Sequence, residues 1–170
     1  MESLSWGFIG TIIGAVVGAS ASIFTSVIMA SNARKLQLSA VSLERSEKAR
    51  EFQRDNLLEL QEALSYGMRL IGRAHLYDME HFQKASENER VVLLPEELDQ
   101  EIYNSSRQLS ILTERIVNES LRKSIKRLRS LMTEVLMTRT EKDSLASINN
   151  AQTAYEDVMI LLGKVLRDNY

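Results

Sequence analysis

The feature that most constrains this chain is a stretch without any charged side chain, which extends from Glu2 to Arg34 and leaves 31 uncharged residues between them. A helix needs about 20 predominantly apolar residues to cross a bilayer. The stretch therefore predicts an N-terminal transmembrane helix over residues 1–31. Trp6 lies where an aromatic anchor at the membrane interface is expected.

The charges on either side of this stretch predict its orientation. Arg34 and Lys35 follow it directly, whereas no Lys or Arg precedes it. Loops rich in Lys and Arg stay in the cytoplasm, so we expect the N-terminus outside and the rest of the chain inside. A cleaved signal peptide is the alternative, because Ala19-Ser20-Ala21 resembles a cleavage site. The missing basic N-terminal flank and the length of the stretch favour a retained anchor.

Small residues recur at every fourth position within the predicted span. A helix places them on one slowly drifting stripe. Small side chains let helices approach closely in lipid, where burying larger apolar side chains gains little. This pattern, a glycine zipper, predicts a homo-oligomer formed through the transmembrane helix. Its members are Gly10, Gly14, Gly18, Ser22, Ser26 and Ala30.

The predicted span also carries several hydroxyl groups. One interpretation is that each hydroxyl bonds to the carbonyl one helical turn earlier. The other is that they form a partly wettable lining inside an oligomer. The side chains concerned are Thr11, Ser20, Ser22, Thr25 and Ser26.

The rest of the chain predicts an all-α protein. It contains one proline and no cysteine, and strong helix formers dominate it. Residues 32–56 are mostly polar and predict a helical stalk that continues from the span. Residues 57–170 predict an antiparallel cytoplasmic bundle of three or four helices, depending on a bend near residues 118–120. Residues 85–95 and 138–144 are the expected connections, with Pro95 in the first turn of a helix.

Apolar residues recur at spacings of three and four along the predicted bundle. Such spacing places them on one face of each helix, so we expect them to form the core. They include Leu57, Leu60, Leu64, Met68, Ile71, His75, Leu98, Ile102, Leu109, Leu112, Ile116, Leu121, Ile125, Leu128, Met132, Val135, Leu145, Ile148, Val158 and Leu162.

The strongest cluster of positive charge is "LRKSIKRLR", residues 121–129. It is either a solvated face paired with acidic side chains or a surface that meets phosphates or an acidic partner. No aromatic residue is interleaved for base stacking, so we expect no sequence-specific nucleic acid binding. An acidic run, Asp78 to Glu101, offers a complementary surface on a neighbouring copy. The basic residues are Arg122, Lys123, Lys126, Arg127 and Arg129.

The residues that could support catalysis or metal binding are few. His75 and His81 are the two histidines, and their spacing of six does not suit one metal site on a helix. Arg69 and His75 have the spacing of the RNA-cleaving motif of HEPN bundles, but Leu70 replaces the polar residue that follows the arginine there. We therefore predict a non-enzymatic protein with no metal and no cofactor.

The layout of one zipper-type span, a stalk and a cytoplasmic bundle resembles small single-pass effector and accessory proteins of bacterial anti-phage systems. These include CRISPR-associated proteins with a HEPN-like bundle. The resemblance covers the architecture of the whole chain. It implies a homo-oligomer in the bacterial inner membrane that perturbs the bilayer or forms a pore. The alternative is a membrane-tethered adaptor whose bundle recruits a cytoplasmic protein partner.

Overall fold

The computed structural model describes the backbone of residues 3–84 and 93–170, and the side chains of residues 7–82 and 93–170. These residues confirm the predicted all-α fold with four helices: α1 (Ser3–Lys84), α2 (Glu96–Arg115), α3 (Glu119–Met137) and α4 (Glu141–Arg167). Most of the expected connection over residues 85–95 lies outside the described part. The chain divides into two compact units, Met1–Lys48 and Ala49–Tyr170.

The described part of the first unit consists of the N-terminal part of helix α1, residues 3–48. Every described side chain in it, from residue 7 to residue 48, is exposed. Its polar part contains the ion pair between Lys48 Nζ and Glu44 Oε1 at 2.7 Å, one helical turn apart. Helix therefore continues without a break from the predicted span into the predicted stalk. The boundary of this unit, after Lys48, falls inside that stalk.

The second unit is a helical bundle in which α2 and α4 both run antiparallel to α1. Gln53 on α1 reaches the end of α2, where its Nε2 donates to the carbonyl of Arg115 at 3.1 Å. Arg73, farther along α1, pairs with Glu101 near the start of α2 at 2.9 Å. Helix α4 follows the same order, because Ser65 contacts Tyr155 whereas residue 75 contacts residue 144.

Side-chain caps explain where α3 and α4 begin. Asn118 Oδ1 accepts a hydrogen bond from the amide of Leu121 at 2.9 Å and starts α3. The expected bend is thus a break after Arg115, and the described bundle has four helices rather than three. Thr140 Oγ1 likewise accepts from the amide of Asp143 at 3.1 Å and starts α4.

The core draws residues from all four helices, and the expected apolar positions are buried with few exceptions. Leu145 is the clearest wrong prediction, because 44% of its surface is exposed. Ser144 takes the inward position instead and is fully buried. It lies four residues before Ile148 and seven before Ala151, and therefore on the inner face of α4. A second small core cluster contains Leu70, Ala74 and Leu98.

Candidate functional site

The apolar part of α1 is long and apolar enough to cross a membrane, by length and composition, and lies near the N-terminus. None of its most apolar window is buried within the chain. The core helix of a soluble protein would be mostly covered, so this surface needs another covering. The large apolar side chains that are exposed here are Phe8, Ile9, Ile12, Ile13, Val16, Val17, Ile23, Phe24, Val27, Ile28 and Met29.

The glycines of the predicted stripe lie on open helix surface. A Cβ atom added at Gly10, Gly14 or Gly18 would meet no atom within 4 Å. Ser22, Ser26 and Ala30, the other members of the stripe, are also exposed. No described part of the chain therefore covers these small residues, and another helix could approach them closely.

Hydroxyl groups in this part of α1 donate within the helix. Four of them bond to the carbonyl four residues earlier, at 2.7–2.9 Å: Thr11, Ser20, Thr25 and Ser26. This pattern matches the first interpretation given above for these four side chains. Because their protons are already bonded, these groups suit an apolar surrounding.

The predicted interfacial residues all belong to helix α1. Arg34 and Lys35 are exposed and are the first charged residues after the apolar part. Trp6 is also helical, but its side chain lies outside the described part. That these two cations lie at a membrane boundary stays a prediction.

The basic cluster on α3 is partly neutralised. Arg122 pairs with Glu119, and Lys126 Nζ lies 2.7 Å from Glu114 Oε1 on α2. Lys123 and Arg127 are exposed and form no ion pair with any described residue. The cluster thus divides into a side that is paired with acids and a side that faces solvent.

The pairing between α2 and α3 also acts on Glu114. Its hydrogen bond with Lys126 lowers the pKa of the Glu114 carboxyl, and the positive charges of Lys126, Arg122 and Arg129 add to this effect. Arg129 contributes a contact of its own, since its Nη2 donates to Ser110 Oγ on α2. The paired side of the basic cluster therefore joins two helices.

A buried polar cluster lies between α1 and α4. His75 Nδ1 is 2.8 Å from Ser144 Oγ, and both side chains are buried. Asp78 is buried one turn after His75. Burial raises the pKa of the Asp78 carboxyl, against the opposing effect of the positive charges that His75 and His81 can carry.

These contacts show how Arg69 and His75, which have the spacing of an RNA-cleaving motif, are placed. Arg69 is exposed and lies over the ring of Tyr66, at 5.8 Å from its centroid. His75 points inward to Ser144, so the two side chains face different surroundings. His81 is half-buried rather than fully exposed, with Nδ1 2.8 Å from the carbonyl of Tyr77. In the described part of the chain, no three His, Asp or Glu side chains are grouped to hold a metal ion.

Comparison of the chain with protein-family models, with curated proteins and with solved structures finds no match. Function is therefore argued from these surfaces alone.

Sequence reasoning missed the buried partners Ser144 and Asp78. Asp78 lies three residues after His75, and that spacing signals a shared helix face. Nothing in the sequence pairs His75 with Ser144, which is distant in the chain.

Proposed function

We propose that this chain is a homo-oligomeric single-pass protein of the bacterial inner membrane whose assembled spans perturb the bilayer, as a membrane-perturbing or pore-forming effector. One observation carries the proposal. The apolar part of α1 is uncharged, entirely uncovered and marked by glycines with open space above them. Lipid covers such a helix, and a second copy can pack closely against its small residues.

Helix geometry indicates which residues a second copy would contact. Each residue advances about 100° around an α-helix, so a series spaced by four drifts by about 40° per step. Gly10, Gly14 and Gly18 stay within a sector of about 80°, together with Ala21 and Thr25, which is less than one third of the circumference and is centred on Gly14. Ser22, Ser26 and Ala30 rotate progressively out of it. We call the surface of those first five residues the glycine arc.

The glycine arc continues beyond the apolar part. Leu36 and Leu43 fall within the same sector of the helix circumference. Both are far more exposed than is usual for leucine, at 72% and 62%. A parallel copy in contact through Gly14 would cover these leucines as well, and this supports self-association along the whole first unit.

The particle mass of the full chain in mild detergent tests self-association. We expect a discrete multimer for the natural chain. Gly14→Leu should reduce the mass to that of a monomer or dimer, because the added side chain blocks close approach. Ala19→Leu is the matched control, because Ala19 lies on the far side of the helix from the glycine arc. An unchanged mass for Gly14→Leu would contradict the proposal.

The effect on the membrane is a separate measurement. Vesicles containing the natural chain should release an entrapped dye or lose their membrane potential, and Gly14→Leu should not cause this. The resemblance to anti-phage effectors adds a cellular test, namely loss of membrane potential after phage infection of cells that express the chain. An assembled multimer that leaves vesicles intact would contradict the membrane-perturbing activity while leaving self-association in place.

The second candidate function is a membrane-tethered adaptor that recruits a cytoplasmic protein. Two observations favour it: the bundle has its own core from four helices, and Lys123 and Arg127 are exposed and pair with no acidic side chain among the described residues, so an acidic partner could contact them. Replacing the span with an unrelated single-pass anchor separates the two functions. The adaptor would keep its activity after the replacement, whereas the oligomeric effector would lose it.

A further inference from the structure

Within the bundle, the outer faces of α1 and α3 carry opposite charges. On α1, Asp55, Glu59 and Glu62 are exposed and pair with no cation among the described residues. On α3, Lys123 and Arg127 are exposed and pair with no described acid. We call these three carboxylates the acidic strip and these two cations the basic strip. Neither strip is neutralised by the described part of its own chain.

The two strips lie at opposite corners of the bundle. Helix α1 contacts α2 through Gln53 and α4 through Ser65, and α3 contacts α2 through Lys126 and also packs on α4. Since each residue advances about 100° around a helix, both strips lie more than about 90° from the middle of the buried face of their helix. The acidic and basic strips therefore face away from each other within one chain.

Hydrogen bonds to the end of α2 fix the levels of α1 and α3 along the bundle. Gln53 Nε2 on α1 donates to the carbonyl of Arg115 at 3.1 Å, and Arg122 Nη1 on α3 donates to the carbonyl of Ile116 at 3.3 Å. Gln53 and Arg122 are therefore level. From this level α1 and α3 run in the same direction, because α2 is antiparallel to both.

The acidic and basic strips match in level and spacing. Asp55 comes two residues after Gln53 and Lys123 one residue after Arg122, so they differ by about 1.5 Å along the bundle. Four residues later on each helix come Glu59 and Arg127, which are level in the same way. Copies that share one orientation in a membrane run parallel, so an acidic strip can face the basic strip of a neighbour.

The acidic run from Asp78 to Glu101 matches the basic strip less well. Asp78 is buried, and Glu101 pairs with Arg73. Arg73 lies about 20 residues, or about 30 Å, beyond Gln53 along α1. This run would therefore meet the basic strip only if neighbouring bundles were displaced by much of their length.

We propose that the acidic strip of one copy binds the basic strip of the next copy, so that α1 and α3 of neighbouring copies pack in parallel. The inference rests on the homo-oligomer of the proposed function. Because the two strips are different surfaces at opposite corners, the contact is heterologous, and copies related by a closing rotation form a ring. A two-fold dimer would instead place a strip against itself, where like charges repel each other.

Chemical cross-linking of the full chain in detergent tests this contact, because the chain has no cysteine of its own. Leu58→Cys and Ser130→Cys place thiols at exposed positions beside the two strips without removing a charge. A short bismaleimide should join chains that carry both substitutions into a ladder of covalent multimers. Each substitution alone should give no covalent dimer, because a heterologous contact does not bring the same position of two copies together.

Charge reversal in the chain with both cysteines makes the test specific. Asp55→Lys with Glu59→Lys should lower the rate of cross-linking about fivefold at low ionic strength. Two charges are reversed together because a single exposed ion pair contributes little. Adding Lys123→Glu and Arg127→Glu to the same chain should restore the rate, because both strips then have the opposite sign.

Gln152→Lys with Glu156→Lys is the matched control. These two exposed residues have the same spacing of four on α4 and belong to neither strip. The control should cross-link at the rate of the chain that carries the two cysteines alone.

Several results would overturn the inference. These are the absence of a ladder, dimers of a chain with one cysteine, an equal rate after reversal of the acidic strip, or no recovery when both strips are reversed. If one of them occurs while the natural chain remains a multimer by mass, the proposed function stands and this contact alone is wrong. A monomeric natural chain would overturn both.

Discussion

His75 and Ser144 are joined by a buried hydrogen bond of 2.8 Å although 69 residues separate them in the chain. The bond links helix α1 to the first turn of helix α4. The inward-facing imidazole of His75 thus has a hydrogen-bond partner in the hydroxyl of Ser144. This serine takes the core position that was expected for Leu145. Several consequences of this packing can be measured on the full chain in detergent.

Ser144→Ala should lower the free energy of unfolding by about 1–3 kcal/mol, because a buried ring nitrogen of His75 would lose its partner. Denaturant unfolding followed by circular dichroism measures this change. Ser147→Ala is the matched control, since Ser147 is half-buried on the same helix and its side chain forms no hydrogen bond with a described residue of another helix. We expect it to change stability by less than about 0.5 kcal/mol. Equal effects of the two substitutions would argue against a stabilising His75–Ser144 bond.

Asp78→Asn should make the bundle more stable at neutral pH. Burial raises the pKa of Asp78 in the folded chain, so the fold binds its proton more tightly than the unfolded chain does. Stability is therefore lost as the pH rises from the ordinary range of an aspartate, about 3.9, through the raised value. The asparagine variant does not titrate and avoids this loss.

Thermal midpoints measured from about pH 4 to about pH 8 should show the two chains diverging as the pH rises, because the range begins near the ordinary pKa of an aspartate. Asp55→Asn, an exposed position on the same helix, should leave the shape of the pH profile unchanged. A constant difference between Asp78→Asn and the natural chain would contradict the prediction.

Two glycines on α1 should respond differently to alanine. At Gly72 an added Cβ meets nothing within 4 Å, so Gly72→Ala should stabilise the helix by about 0.5–1 kcal/mol. At Gly67 the same atom lies 3.1–3.2 Å from three side chains, so the helical gain is offset by crowding. Chemical unfolding of both variants should rank Gly72→Ala as the more stable. The reverse order would mean that the three side chains around Gly67 make room for the added methyl group without strain.

Two adjacent residues of the predicted span distinguish the glycine arc from the full series of small residues at every fourth position. Ala21 lies on the arc, whereas Ser22 has rotated out of it. Ala21→Leu should therefore reduce the particle mass in detergent, and Ser22→Leu should not. The opposite result would favour the series that contains Ser22, Ser26 and Ala30 as the contact surface.

The periodic apolar pattern predicted most of the bundle because burial of one helix face depends on local spacing. Leu57, Leu60 and Leu64 are buried as expected for this reason. The same rule placed His75 on the inner face but not Ser144, so it could not find the buried His75–Ser144 pair, which exists only where two helices meet.

The antiparallel order of α1 and α4 gives the bundle two distinct ends. Arg54, near the point where the chain enters the bundle, lies 5.4 Å from the ring centroid of Tyr170. The turn at residues 138–140, between α3 and α4, belongs to the opposite end, where residue 75 meets residue 144. A spectroscopic label near Tyr170 would thus report on the end of the bundle that contains Arg54, and one at Arg139 on the opposite end. If copies of the chain associate as proposed, distances between copies at the two ends would show which ends of the bundles lie closer together.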